Sequence, residues 1–494
     1  MDYSYANPEL QEGKRLEKFG LKFTWTTQHS SPKDHEPLIH SYDTTCQEAV
    51  EEMDKISPTP YAFPPPRDGD FEDTAKPDTE KRPRRDLYEL MQEMAPKNEK
   101  IGKLWDQINT VPDWVDWAQI ERGQKVFFRY GGPCIVTVCP HNSDILNDDK
   151  LISVKLTFLS LLGGMGSGRT VETLDRTGSF DAKVVRRRLL ETSQHTLNVY
   201  KDLPSIQPGG DGFANSVRVR LLHTAVRRRI MAMAAQQPSY YNIAQYGVPI
   251  NDLDSMGTIM TFCCVPIWMG LPRQGIYLRA QEKLDFLALW RYVAYLMGVP
   301  HDWLSTEESA KAMMESLFVS EFKPSKASAV LANNIITGFR DLPPTYASAD
   351  FMRAETYWLN GTELSEALGI RRPSVYYSAL VLGQCMLFCF MGYLYRSFER
   401  LDRWNINIVK KTFFRILLHD KSLGALGYTS KFHFKYIPEF STMSTARGEV
   451  EREDYGVLRR GVERSALLSL ITFSSMIGAS LWFGSKALVA VLGY

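Results

Sequence analysis

Two consecutive helix-like segments between Arg186 and Arg229 constrain this chain most, because each sets polar groups into an otherwise apolar face. On the second, Val219, Leu222, Val226 and Ile230 recur at helical spacing. His223 falls inside that stripe, and Arg227 follows one turn later. On the first, Val185, Leu189 and Val199 mark an inward face, and Arg188 and Thr192 lie on it four residues apart. The stretch 202–213, with Pro204, Pro208, Gly209, Gly210 and Gly212, separates the two segments and lets them face each other. An inward arginine, threonine and histidine are costly unless something answers their hydrogen-bonding groups.

Around this feature the patterning is helical and strand-like alternation is scarce, so an all-α fold is expected. Residues 1–85 read as a flexible polar extension: 1–50 are polar with scattered aromatics, and 55–85 are rich in Pro, Asp, Lys and Arg. Residues 86–460 read as one helical domain and 461–494 as a C-terminal apolar helix. Val111-Pro112-Asp113-Trp114 is a turn into a helix that continues through Gln124 to Tyr130, and further helices are expected near 279–298 and 308–320. Val375–Tyr395 is uncharged, but its Gly383, Gln384 and tyrosines suit a buried helix. Ser465–Ser485 is 21 uncharged residues, roughly 31 Å as a helix and about one hydrocarbon thickness. Arg459, Arg460 and Arg464 precede it, so a span here would be a tail anchor with its basic flank in the cytosol. Such an anchor suits the endoplasmic reticulum, with the main domain facing the cytosol.

Several motifs point nowhere in particular. A net charge of +1 gives no global field for nucleic acid, and the arginine clusters 186–188 and 227–229 sit on amphipathic helices as solvated faces. The seven cysteines show no repeating spacing, and Cys385 and Cys389 lack two further zinc ligands, so they read as core. Gly163–Gly168 is glycine-rich, but Arg169 stands where a phosphate loop needs Lys and Ser/Thr. No secretory leader is visible at the start. His141, His301, His419 and His433 have no partner at metal-ligand spacing, and His195 reads as a surface or supporting residue. His223 by itself is more often a satisfied core residue. Facing an arginine and a threonine across an apolar gap, it is what a haem pocket requires: an imidazole for iron on one side and polar groups on the other.

A wider set of landmarks tips this balance. Val111-Pro112-Asp113-Trp114-Val115-Asp116 is followed by Arg122-Gly123-Gln124. Gly163-Gly164, Arg169 and Thr170 lead into Thr177-Gly178-Ser179-Phe180, and Arg188-Leu-Leu-Glu-Thr192 precedes Val219-Arg-Leu-Leu-His223. Gly247-Val-Pro-Ile-Asn251 and Trp290-Arg-Tyr292 through Gly298-Val-Pro300 close the series. In this order the stretch from Val111 to about Pro300 resembles the MpaB/rubber-oxygenase catalytic family, DUF2236, which includes the bacterial latex-clearing proteins. The resemblance implies a globin-like all-helical fold holding haem b, with His223 as the proximal iron ligand and Arg188 and Thr192 as distal groups. Glu172, sixteen residues before Arg188, matches the glutamate proposed as base in the latex-clearing enzymes. Those enzymes carry a lysine immediately before the threonine, able to cap iron. Here that position is Glu191, so a lysine-capped state is not implied. Arg227 and Arg188 are candidates for the haem propionates, whose carboxylates suit guanidinium geometry.

The expected function is a haem-dependent oxygenase that uses O2 to cleave a carbon–carbon double bond in a small hydrophobic, prenyl-like substrate of secondary metabolism. Glu172, Arg188, Glu191 and Thr192 would carry the chemistry at a membrane, no nucleic acid is involved, and an electron donor is left open. Two other readings compete: a haem-binding sensor or carrier without turnover, and a haem-free membrane-associated helical scaffold.

Overall fold

The computed structural model describes residues 10–57, 86–131, 162–343, 345–433, 438–440, 444–451 and 460–492. His141, Arg459 and residues 58–85 of the expected linker lie outside them. The described fold is all-α apart from one antiparallel hairpin, β1 (Arg15–Lys18) and β2 (Leu21–Thr24), which pairs Arg15 with Thr24 and Leu16 with Phe23. The principal helices are α1 (Thr44–Ile56), α2 (Trp117–Gly131), α3 (Gly168–Thr177), α4 (Val185–Tyr200), α5 (Asp211–Gln236), α6 (Asp252–Phe262), α7 (Ala280–Leu296), α8 (Glu307–Ser320), α9 (Lys326–Phe339), α10 (Val375–Ser397) and α11 (Gly461–Leu492).

Residues 10–57 correct the expectation of a flexible extension. Asp43 caps α1 by accepting from the Cys46 amide at 3.1 Å. Cys46, Ala49, Val50 and Met53 recur along one face of α1 and are fully buried in the main core. That face is short and interrupted by acidic residues, so the segment looks polar by composition although its apolar side is complete. The anchor is ionic. Arg220 on α5, 2% exposed, donates to both carboxylate oxygens of Asp43, Nε–Oδ2 at 2.6 Å and Nη2–Oδ1 at 3.0 Å. Gly298, at φ +68°, packs against this pair, and a Cβ there would fall 2.5 Å from Asp43 Oδ2.

The loop between α4 and α5 brings the two helices together. It holds a short helix, Leu203–Ile206, capped by Asp202. Gly212 lies where a Cβ would meet the Asn198 carbonyl oxygen at 2.6 Å, so only glycine lets α5 start this close to the end of α4. The glycine-rich turn before α3 is also a packing device. Gly163 abuts Asn360, and Gly166 abuts Phe322.

Among the described residues three stretches are long and apolar enough to cross a membrane: Asp252–Gln274, Val375–Ser397 and Gly461–Lys486. The first packs Leu253, Met256, Ile259 and Met260 into the core. α10 only half fulfils its expectation of burial. It buries Leu380, Val381 and Phe388 but leaves Val375, Leu382 and Phe390 exposed. Cys385 is buried with it, and Cys389 is half-buried against Gly275. α11 docks its first turns on α10, where Gly383 lets the Ala466 carbonyl approach. Beyond that contact it runs bare: Leu481 is 69% and Phe483 65% exposed.

The Asp43–Arg220 pair generates a prediction. Asp43→Ala strips a helix cap and leaves a buried guanidinium without its carboxylate, an effect of about 3–5 kcal/mol. Urea unfolding of the variant should show that loss with an unchanged slope. An unaltered midpoint would mean that the N-terminal segment contributes nothing to the core.

Candidate functional site

One cavity of about 260 Å³ opens between α3, α4, α5 and α6. Most of its exposed wall is apolar, from residues such as Leu189, Val219, Leu222 and Phe262, and into it reach Arg188, Glu191, Thr192, His195, His223 and Arg227. The packing of α4 on α5 explains the meeting. His195 Nε2 lies 2.9 Å from Ser216 Oγ. The Ser216 hydroxyl proton is given to the Gly212 carbonyl at 2.8 Å, so the imidazole is the donor and its Nδ1 is bare. Arg188 lies seven residues before this contact on α4, and His223 seven residues after it on α5. Helices that turn back on each other through a short loop therefore carry these two side chains at the same level.

The electrostatics agree. Burial pushes His223 down to about 3, with the charges of Arg188, Arg227 and His195 adding to it. Its ring is neutral throughout the physiological range, and no hydrogen bond holds it among the described residues. Burial and then Arg188 push His195 down to about 4. His195 is thus a buried residue of the cavity wall and not a surface one. Arg188 Nη1 donates to Thr192 Oγ1 at 3.0 Å and the Thr192 hydroxyl donates to the Arg188 carbonyl at 3.2 Å, so Thr192 steadies the guanidinium. Arg227 donates to the Ile250 and Asp43 carbonyls and to Thr224, stacks 4.7 Å from the Tyr42 ring, and leaves its buried Nε unanswered.

Glu191 lines the cavity, accepts from Ser430 Oγ at 3.2 Å and lies 3.7 Å from Arg187. Glu172 does not line it. Thr170, Thr173, Leu174 and Thr177 form the cavity face of α3, and Glu172 lies off that helical stripe, 3.3 Å from Arg176. Burial raises its carboxyl pKa while Arg176 opposes the rise. Spacing along the chain had matched this residue to a base, but helical phase turns it away from the cavity.

Sequence reasoning missed Asp254 and His433, which both line the cavity. Asp254 carries a readable signal, since it follows Asn251 in the Gly247–Asn251 landmark at the start of α6. His433 follows Phe432, a non-glycine residue held at φ +52°, and nothing local in the sequence marks that backbone. Among the described residues no three His, Cys, Asp or Glu side chains gather as a metal site. A haem iron needs only one axial imidazole, so this does not bear on a haem.

His195 generates a pH prediction. Its folded pKa, about 4, lies below the ordinary 6.5, so the unfolded chain takes up the proton first as pH falls. Its contribution is complete above about 6.5 and is lost toward 4, up to about 3 kcal/mol. Melting temperatures measured between these limits should fall more steeply with acid for the wild type than for His195→Asn. Parallel curves would contradict the buried neutral ring.

Comparison with known proteins gives two matches. Residues 156–385 match the family model described as ER-bound oxygenase mpaB/B'/Rubber oxygenase, catalytic domain. A solved structure titled Latex Clearing Protein LCP in the closed state aligns over 64% of this chain and 79% of that one, with 15% identity and a TM-score of 0.47. No curated protein matches. Over residues 156–385 the chain is thus similar to the MpaB/rubber-oxygenase catalytic-domain family.

Proposed function

We propose that this protein is a haem b-dependent oxygenase that uses O2 on a small hydrophobic, unsaturated, prenyl-like substrate, with oxidative cleavage of a C=C bond as its reaction. The observation that carries this reading is the His223 ring. It stands in the wall of an apolar cavity, neutral and without a hydrogen-bond partner among the described residues, level with the Arg188–Thr192 pair.

The residues fit a haem. A neutral imidazole offers its nitrogen lone pair to iron, and His223 is held in that form. The buried Nε of Arg227, which has no acceptor, suits a propionate carboxylate. A haem seated here supplies a redox-active iron that activates O2. The protein's own part is to exclude water and to orient charge. Leu189, Val219, Leu222 and Phe262 keep the cavity dry, which strengthens each polar contact inside it. Arg188, steadied by Thr192, presents fixed donors where negative charge develops on oxygen, without reorganisation during the reaction. Glu172 lies off the cavity-lining stripe of α3, beside Arg176. Glu191 is a wall carboxylate positioned by Ser430.

Membrane attachment belongs to the same reading. The bare apolar surface of α11 would be costly in water, and prenyl substrates partition into bilayers. Arg460 and Arg464 at its start fit a cytosolic catalytic domain, and the family description fits the endoplasmic reticulum.

Three measurements test the proposal. Protein purified in mild detergent should show about one b-type haem per chain by pyridine haemochrome, lost or spectrally altered in His223→Ala. A colourless wild type that haemin cannot reconstitute would end the haem reading. Arg188→Ala should keep its haem but lose about 10²–10³-fold in kcat on prenyl substrates under O2. Wild-type turnover in that variant would remove Arg188 from the chemistry. Deletion of residues 461–494 should move the protein from the membrane pellet to the supernatant after ultracentrifugation, and continued pelleting would assign the attachment elsewhere.

A further inference from the structure

The cavity has a second chemical character on the wall that α3 and α6 supply. Ser167, Thr170 and Asp254 all line it, and they form one hydrogen-bonded chain. Thr170 Oγ1 lies 3.1 Å from Asp254 Oδ1 and 3.0 Å from Ser167 Oγ. Ser167 occupies the N-cap position of α3, where a serine hydroxyl ordinarily caps the helix, yet it makes no capping bond and turns to Thr170 instead. Asp254 is 6% exposed and is held from behind by Asn251 Nδ2 at 3.0 Å. Nothing in the reaction proposed above uses this chain, and a purely hydrocarbon substrate would form no hydrogen bond with it.

We propose that the Ser167–Thr170–Asp254 chain docks an oxygen-bearing head group, hydroxyl or carbonyl, so that the substrate is an amphipathic prenyl compound and not a plain hydrocarbon. The inference deepens the oxygenase reading and rests on it for the nature of the apolar tail. Its geometry gives the chain both polarities. With Asp254 ionised, each hydroxyl donates toward the carboxylate and the Ser167 oxygen faces the cavity as an acceptor. With Asp254 protonated, the direction reverses and Ser167 presents a donor. Both forms occur near neutrality. Burial, and next Glu321, raise the Asp254 carboxyl to about 7, while Arg169 opposes them and Tyr241 is the other titratable group facing it. Arg169 is itself tied to Glu321 at 2.9 Å, which keeps its charge from settling on Asp254. The chain therefore answers a head group that donates and one that accepts.

Binding of farnesol and of the matching hydrocarbon without the hydroxyl, followed by intrinsic tryptophan fluorescence, tests this. The wild type should bind the alcohol at least about tenfold more tightly, the value of one well-made hydrogen bond. Thr170→Val keeps the side-chain shape but breaks the chain. It should abolish the preference and leave hydrocarbon affinity unchanged. Asp254→Asn, which keeps an acceptor and a donor on that atom pair, should preserve the preference. An equal preference in wild type and Thr170→Val, or none in the wild type, overturns the proposal. If the folded wild type binds neither ligand, the prenyl-substrate reading itself fails, and a melting curve for each variant separates these results from misfolding.

Discussion

The packing of α4 on α5 is the constraint from which the site follows. Gly212 permits the close approach, and the His195–Ser216 hydrogen bond fixes the register. A shift of one residue along either helix would rotate Arg188 or His223 by about 100° and take it out of the cavity. The imidazole is neutral because the same packing buries it beside arginine charges. Ligand readiness and helix register are one property here.

Around that pair the protein treats its arginines in two ways. Arg220 and Arg169 are buried, Arg129 is half-buried, and each is matched to carboxylates: Asp43, Glu321, and Glu282 with Asp402. Their charges are neutralised in place and they hold elements together. Arg188 instead donates to a hydroxyl within the cavity, and Arg227 bonds carbonyls and a hydroxyl. Both line the cavity, where positive charge suits an anionic cofactor edge or a developing oxygen charge.

Helical periodicity made the α4 and α5 stripes readable, and with them Arg188, Thr192, His223 and Arg227. The turn at Val111–Trp117 into α2 was equally plain. Where reasoning failed, the lost information was angular or long-range. Glu172 has the right distance along the chain but the wrong phase on α3. His195 looked like a bystander because its partner, Ser216, is 21 residues away on another helix. Residues 10–57 looked extended because the partner of Asp43 is 177 residues away on α5.

The sequence by itself determined the all-α class, the two polar-faced helices, the long apolar run of α11 and one of the histidines that line the cavity, His223. These are properties of local periodicity, and any chain with that spacing presents those faces. Only the tertiary structure decided which carboxylates border the cavity, that the N-terminal segment is part of the core, and that Ser167, Thr170 and Asp254 meet. Ser167 and Thr170 precede Asp254 by more than 80 residues, and their contact exists only because the tertiary fold brings the start of α3 to the start of α6. Side-chain phase and long-range contact depend on how helices dock, and docking is settled by the fit of the whole core.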